Sequence, residues 1–221
     1  MRSFYEKENL IQYGKLLAGL FFCGLGIVME VNSNLGGAPW DIFHIGLSRV
    51  IGIPYGKVSI IAGAVVILLN IVLGQVIGLG TVLNMCLIGL FTDLINNSGL
   101  IPSPTGKIHG QAALLFGGML LFGYGTYLYM AQGKGAGPRD GLMQVLHKKT
   151  GLSVALIKNG IEVVVLVIGI LLGGKAGLGT LIYALSIGFI IQYFFKLRKL
   201  DIRALNHSRI REDLLSLTRF R

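Results

Sequence analysis

Gly36-Gly37-Ala38-Pro39-Trp40-Asp41 is written a second time, 99 positions on, as Gly135-Ala136-Gly137-Pro138-Arg139-Asp140. Outward from it, Gly78-Leu79-Gly80-Thr81 meets Gly177-Leu178-Gly179-Thr180 at the same offset. Gly19, Gly24, Gly26, Gly52 and Gly74 likewise meet Gly118, Gly123, Gly125, Gly151 and Gly173. From Leu16 to Gly89 the register never slips, and about 20 residues are identical in the two copies. Shared apolar composition would not hold one register across three hydrophobic segments, so the chain is a duplicated unit.

The copies are built to sit in lipid. Of 221 residues 53% are hydrophobic and only 14% charged, and the mean hydropathy is +0.70. That is more apolar surface than a soluble core of this size needs. Six stretches approach the roughly 20 residues that cross a bilayer core. They are Leu16 to Val31, Val58 to Gly74, Leu79 to Ile95, Ala112 to Ala131, Val154 to Gly173 and Leu178 to Phe195. The first recurs mid-chain and no small-residue cleavage site precedes Glu30, so it is not expected to be a cleaved signal peptide. The hairpins at Gly74–Gly78 and Gly173–Gly177 are tight enough to make the spans on either side packed neighbours.

The segments that follow Pro39 and Pro138 differ. Each is polar and, at about 12 residues, reaches only about 18 Å as a helix, too short to cross. Each copy then has three spans, and an odd number forces the second copy to enter the membrane from the other side. The expected fold is an all-α polytopic membrane helix bundle of about six transmembrane helices in a 3+3 inverted repeat, each repeat carrying a short Gly/Pro-initiated non-spanning helix after its first span. The layout is 1–15 as a cytoplasmic N-terminal segment, 16–95 as membrane repeat 1, 96–111 as an external connector, 112–196 as membrane repeat 2 and 197–221 as a basic cytoplasmic amphipathic tail.

Cationic residues test the orientation, because cytoplasmic loops collect them. Arg2, Lys7 and Lys15 precede the first span, Lys134, Arg139, Lys148, Lys149 and Lys158 lie between the fourth and fifth, and a further cluster from Lys196 to Arg211 follows the sixth. The alternate loops hold Arg49 and Lys57, then Lys107, then Lys175. Both termini are expected in the cytoplasm. The net charge of +10 follows from this asymmetry and needs no nucleic acid partner. The tail, with Leu200, Ile202, Leu205, Ile210 and Leu214 among basic residues, suits anionic lipid headgroups.

On the Gly-rich Pro-x-Asp segments and the Gly-Leu-Gly-Thr hairpins, the chain resembles the YczE-type family of uncharacterised bacterial integral membrane proteins, itself loosely related to the YitT group. The resemblance covers roughly Gly14 to Lys199, and Gly36 to Asp41 is its most specific part. It implies a bacterial cytoplasmic (inner) membrane location and brings no substrate or reaction.

The paired segments admit two interpretations. In one, proline at the first helical position and aspartate in the first turn give a well-capped interfacial helix. In the other, both segments dip inward as half-helices whose N-termini converge on a site that Gly36, Gly37, Pro39, Asp41, Gly135, Gly137, Pro138 and Asp140 would form. Free amides there attract an anion, whereas the two carboxylates attract a cation or exchange protons. Glu162 in the fifth span, with Lys158 one turn earlier and Asn159 beside it, joins this candidate substrate-binding set, since ionisable groups at membrane depth are costly. If the span starts late, near Asn159, Lys158 instead snorkels and Glu162 pairs with it at the interface. Glu30 and Asp93 end spans and are expected at the interface. Asn70 and Asn84 suit cross-helix packing, and Tyr124, Tyr127 and Tyr129 suit an aromatic belt.

Enzyme chemistry is not expected. Cys23 and Cys86 lack metal-ligand spacing, the four histidines join no catalytic motif, and no GxxxxGK[ST] loop occurs; no cofactor or metal is assigned. The expected function is a small secondary transporter or permease for an unknown small solute or ion. The alternative is a non-transporting membrane module that recruits or regulates partner proteins through its basic cytoplasmic surface. So short a chain leaves little protein around a central pathway, which leaves room for a homodimer.

Overall fold

The computed structural model describes residues 2–53, 55–104, 107–202, 204, 205, 207, 208 and 210, with side chains from residue 9 of the first helix and residue 57 of the third onward. These residues form eight helices and no strand: α1 (Arg2–Asn32), α2 (Pro39–Ile51), α3 (Tyr55–Val72), α4 (Leu79–Asn97), α5 (Ile108–Met130), α6 (Pro138–Thr150), α7 (Val154–Leu171) and α8 (Leu178–Leu197). α2 and α6 begin and end at equivalent positions of the duplication, and so do α3 and α7. The same punctuation causes this, since Pro39 and Pro138 open the short helices without wasting a donor.

The two copies cross on glycine. A Cβ on Gly26 would lie 2.6 Å from the Gly118 carbonyl oxygen, and one on Gly118 an equal 2.6 Å from that of Gly26. Gly19 and Gly125 approach each other in the same way. Pairing 19 with 125 and 26 with 118 makes α1 and α5 antiparallel, in a close contact that larger residues would forbid. Leu16, Leu20, Leu115 and Met119 pack the crossing.

The Gly-rich segments interlock reciprocally. The Gly80 amide donates to the Lys134 carbonyl at 2.6 Å, and the equivalent Gly179 amide donates to the Leu35 carbonyl at 2.7 Å. Gly36 and Gly135 turn here at φ of 134° and 115°, with Thr180 Oγ1 and Thr81 Oγ1 where a side chain would point. Each copy thus seats its loop on the start of the other copy's last helix.

Three expectations change. α1, α4, α5, α7 and α8 are long and apolar enough to cross a membrane, whereas the apolar part of α3, Lys57–Val72, is shorter. The hairpin argument holds for α7 and α8, which pack together, but α3 and α4 share almost no contact, and residues of both line one cavity. Of the expected tail, residues 203, 206, 209 and 211–221 lie outside the described residues, as do 105 and 106 of the connector. Residues 198–208, where described, are not helical. They fold back over the start of α6: Ile202 is buried, Ser208 N–H donates to the Gly133 carbonyl at 2.8 Å, and His207 Nδ1 accepts from the Gly135 amide at 3.1 Å.

Candidate functional site

The first turns of α2 and α6 meet. The Arg139 guanidinium lies over the ring of Trp40, 4.6 Å from its centroid, and these two residues occupy equivalent positions of the duplication. Both helices slope away from this meeting. α2 runs along α7, with Gly46 against Gly169 and Arg49 Nη1 donating to the Gly173 carbonyl at 2.6 Å. α6 runs along α3, from Asn70 Nδ2 on the Pro138 carbonyl at 2.7 Å to Gln75 Nε2 on Gln144 Oε1 at 2.7 Å. The first turns of α2 and α6 lie against the last turns of α7 and α3, Phe43 at Gly169 and Pro138 at Asn70, and Asp140 in the first turn of α6 also reaches Lys158 in the body of α7.

A cavity of about 420 Å³ lies at the junction, bounded by both first turns, α3, α4 and the inner face of α7. Lys158 is its ionic centre. Its Nζ lies 3.2 Å from Asp140 Oδ1 and 3.3 Å from Glu162 Oε1. All three residues are buried, and buried charges of this kind persist only when paired and hydrogen-bonded. Asp140 does not cap its own first turn, contrary to the interfacial interpretation: its Oδ2 accepts from the Tyr129 hydroxyl, which in turn accepts the Gly137 amide at 3.1 Å. Glu162 Oε2 and Glu30 Oε1 are buried without a hydrogen-bond partner among the described residues.

Of the candidate residues, Asp41, Pro138, Asp140, Lys158 and Glu162 line this cavity. Gly36, Gly37, Gly135 and Gly137 shape the loops beneath it instead, the Gly37 carbonyl accepting Thr180 Oγ1 at 2.7 Å. Pro39 is buried as the opening residue of α2. Asn159 stands apart, bridging α7 to α8: its Nδ2 donates to the Leu185 carbonyl at 2.7 Å and its Oδ1 accepts the Gly188 amide at 2.7 Å.

Sequence reasoning missed Glu30, assigned to the interface, and Tyr129, assigned to the aromatic belt but bonded to Asp140, and gave no role to Trp40, His44 or Tyr183, which with Glu30 line the cavity. Asp93 and Asn84 line it as well, whereas Asn70 packs across helices as expected. The overlooked signal is positional. At the 99-residue offset Glu30 corresponds to Tyr129, and Asp41 to Asp140, so the one carboxylate partner seen in the second copy points to the other in the first.

A family described as one of unknown function, DUF6198, matches residues 10–196. The chain belongs to this family. It is 33% identical over 190 residues to the uncharacterized membrane protein YczE of Bacillus subtilis, covering 85% of this chain and 87% of that one. An uncharacterized protein of Haemophilus influenzae is 35% identical over 182 residues, 82% of each chain. The uncharacterized protein YyaS of Bacillus subtilis is 26% identical over 184 residues, 80% of this chain and 88% of that one. No solved structure matches the chain. With its five long apolar helices, this DUF6198 member is a multi-pass membrane protein.

Proposed function

We propose that the protein is a small secondary transporter whose substrate site is the cavity between its two copies. The observation that carries this is the meeting of two half-helix first turns, from equivalent positions, over a buried Lys158–Asp140–Glu162 ion cluster. Broken helices that aim their N-termini at one polar site are how inverted-repeat transporters bind substrate, and irregular backbone at that depth is tolerated where it lines a cavity. The proposal includes six spans, with α3 as the shortest, in a 3+3 inverted arrangement, α2 and α6 entering from opposite faces, and both termini in the cytoplasm of a bacterial inner membrane. The antiparallel α1–α5 crossing and the reciprocal loop contacts support it. No catalytic step is assigned.

The recruitment alternative would use the basic C-terminal segment together with the loop from Gln132 to Thr150. The described part of the C-terminal segment is folded onto the protein, with Lys148 Nζ held by the Leu205 carbonyl at 2.7 Å, which leaves this reading less surface among the described residues.

The test is uptake into liposomes holding the full-length protein, across a panel of labelled small cations, anions and neutral solutes. At least one solute is expected to enter above protein-free liposomes, and Asp140→Asn or Lys158→Met to abolish that uptake while the purified variants remain folded. Folded variants that transport at the wild-type rate would contradict the proposal.

A further inference from the structure

The two copies differ where their symmetry would place a second cation. In the second copy, Lys158 and Glu162 stand on α7 beside Asp140 and Tyr129. The equivalent residues of the first copy are Ser59, Gly63, Asp41 and Glu30. A serine stands in place of the lysine and a glycine in place of the glutamate, while Asp41 matches Asp140 and a second carboxylate, Glu30, stands where Tyr129 would be. All four line the cavity. A Cβ on Gly63 would meet nothing within 4 Å, so the space that Lys158 and Glu162 fill in one half is open in the other.

Glu30 is 4% exposed, and its Oε1 has no hydrogen-bond partner among the described residues. Trp40 Nε1 is likewise buried and unpartnered at the cavity wall. Among the described residues the cavity gathers five carboxylates, Glu30, Asp41, Asp93, Asp140 and Glu162, against the two fixed cations Arg139 and Lys158. Arg139 lies over Trp40, and Lys158 already serves Asp140 and Glu162. Leaving the buried Glu30 Oε1 without a partner is costly, and a cation brought by a ligand would offset that cost. Val66, Met85 and Ile88 give the remaining wall an apolar face, and about 420 Å³ is far more room than a bare metal ion needs.

We propose that Glu30 and Asp41 bind the ammonium group of a small organic amine, in the place that Lys158 Nζ takes in the other half, with the ligand's apolar body against Val66, Met85 and Ile88. The inference rests on the transporter proposal for the same cavity and names its substrate class.

Trp40, the chain's single tryptophan, lines the cavity and reports binding by its fluorescence. Full-length protein in nanodiscs is titrated with n-butylammonium chloride, and separately with sodium chloride, potassium chloride, n-butanol and sodium butyrate. A saturable change with n-butylammonium alone is expected, weakened about tenfold or more in Glu30→Gln. Ser59→Lys, which installs the counterpart ammonium at an open position, is expected to abolish it while gel filtration shows a folded protein, and it decides the matter should Glu30→Gln not fold. No saturable response to n-butylammonium, an equal response to sodium, potassium or n-butanol, or an unchanged titration in folded Glu30→Gln or Ser59→Lys would overturn the proposal. The uptake panel separates the two claims. Amine binding without uptake of any solute contradicts transport alone, and Asp140-dependent uptake without amine binding contradicts the amine site alone.

Discussion

The halves of the cavity share one scaffold and differ in how they fill it. In the second copy α7 and α8 are zipped by Asn159, whose amide meets both Leu185 and Gly188, and the ion cluster fills the inner face. In the first copy Ile60 replaces Asn159 and is 71% exposed. Gly89, the counterpart of Gly188, has open space where a side chain would point, and α3 and α4 stand apart. Duplication fixed the backbone through its glycines and prolines. The differences between Ser59, Ile60 and Gly63 on one side and Lys158, Asn159 and Glu162 on the other make the second copy a closed strut and leave the first as an opening. A transporter with this asymmetry would bind its load on the open side and be held by fixed charges on the closed one.

The comparison breaks most readily at Lys158. Lys158→Met strands two buried carboxylates and is expected to cost about 3–5 kcal/mol in denaturant unfolding of the purified protein. Ser59→Met at the equivalent position faces open space and should cost less than about 1 kcal/mol. Similar losses at both positions would abolish the distinction between the halves.

A smaller effect is expected where α7 meets α8. Asn159→Ala leaves the Gly188 amide and the Leu185 carbonyl without their partner and should lower stability by about 1–3 kcal/mol, measured by the same unfolding. Ile60→Ala on the exposed face should fall within about 0.5 kcal/mol of the parent.

The eight elements were legible because Gly and Pro punctuate both copies alike, and Asp140, Lys158 and Glu162 were legible as candidates, which the structure buries together. The depth of Glu30 was not. It lies near the end of α1, which on a linear reading is a membrane surface, but the α1–α5 crossing brings its backbone amide 3.1 Å from where a Cβ on Gly118 would lie, well inside α5. Helix register against a partner carries that information, and composition does not. The parting of α3 from α4 was hidden for a similar reason, since a tight hairpin constrains two helices only at its own end. The docking of residues 198–208 was illegible because a basic, leucine-bearing segment has the same pattern whether it meets lipid or protein.

That docking supplies the smallest effect. Burial, with the Lys148 ammonium adding to it, pushes His207 down from its ordinary 6.5 to about 4. Its neutral ring accepts from the Gly135 amide through Nδ1 and donates from Nε2 to Gln144 Oε1. Above pH 6.5 the docked and released forms are both neutral and docking does not depend on pH. As pH falls from 6.5 toward 4 the released imidazole binds a proton that the docked one resists, so docking weakens, and below about 4 it levels off. Hydrogen exchange at the Ser208 amide should accelerate through that window, beyond the intrinsic pH trend, and His207→Asn should remove the excess. Loss of protection on raising the pH instead would contradict the assignment.

The central claim is that two half-helices from opposite faces share one cavity, and side-specific labelling tests it most directly. In a protein lacking Cys23 and Cys86, single cysteines replace Arg49 and Lys149, which are exposed in the last turns of α2 and α6, and Asp41 and Arg139 in their first turns. A membrane-impermeant maleimide is expected to reach Arg49→Cys only from outside and Lys149→Cys only from the cytoplasm, while Asp41→Cys and Arg139→Cys label slowly and protect each other when cross-linked. Labelling of Arg49→Cys and Lys149→Cys from the same face, or rapid labelling of the first-turn positions as open surface, would contradict it.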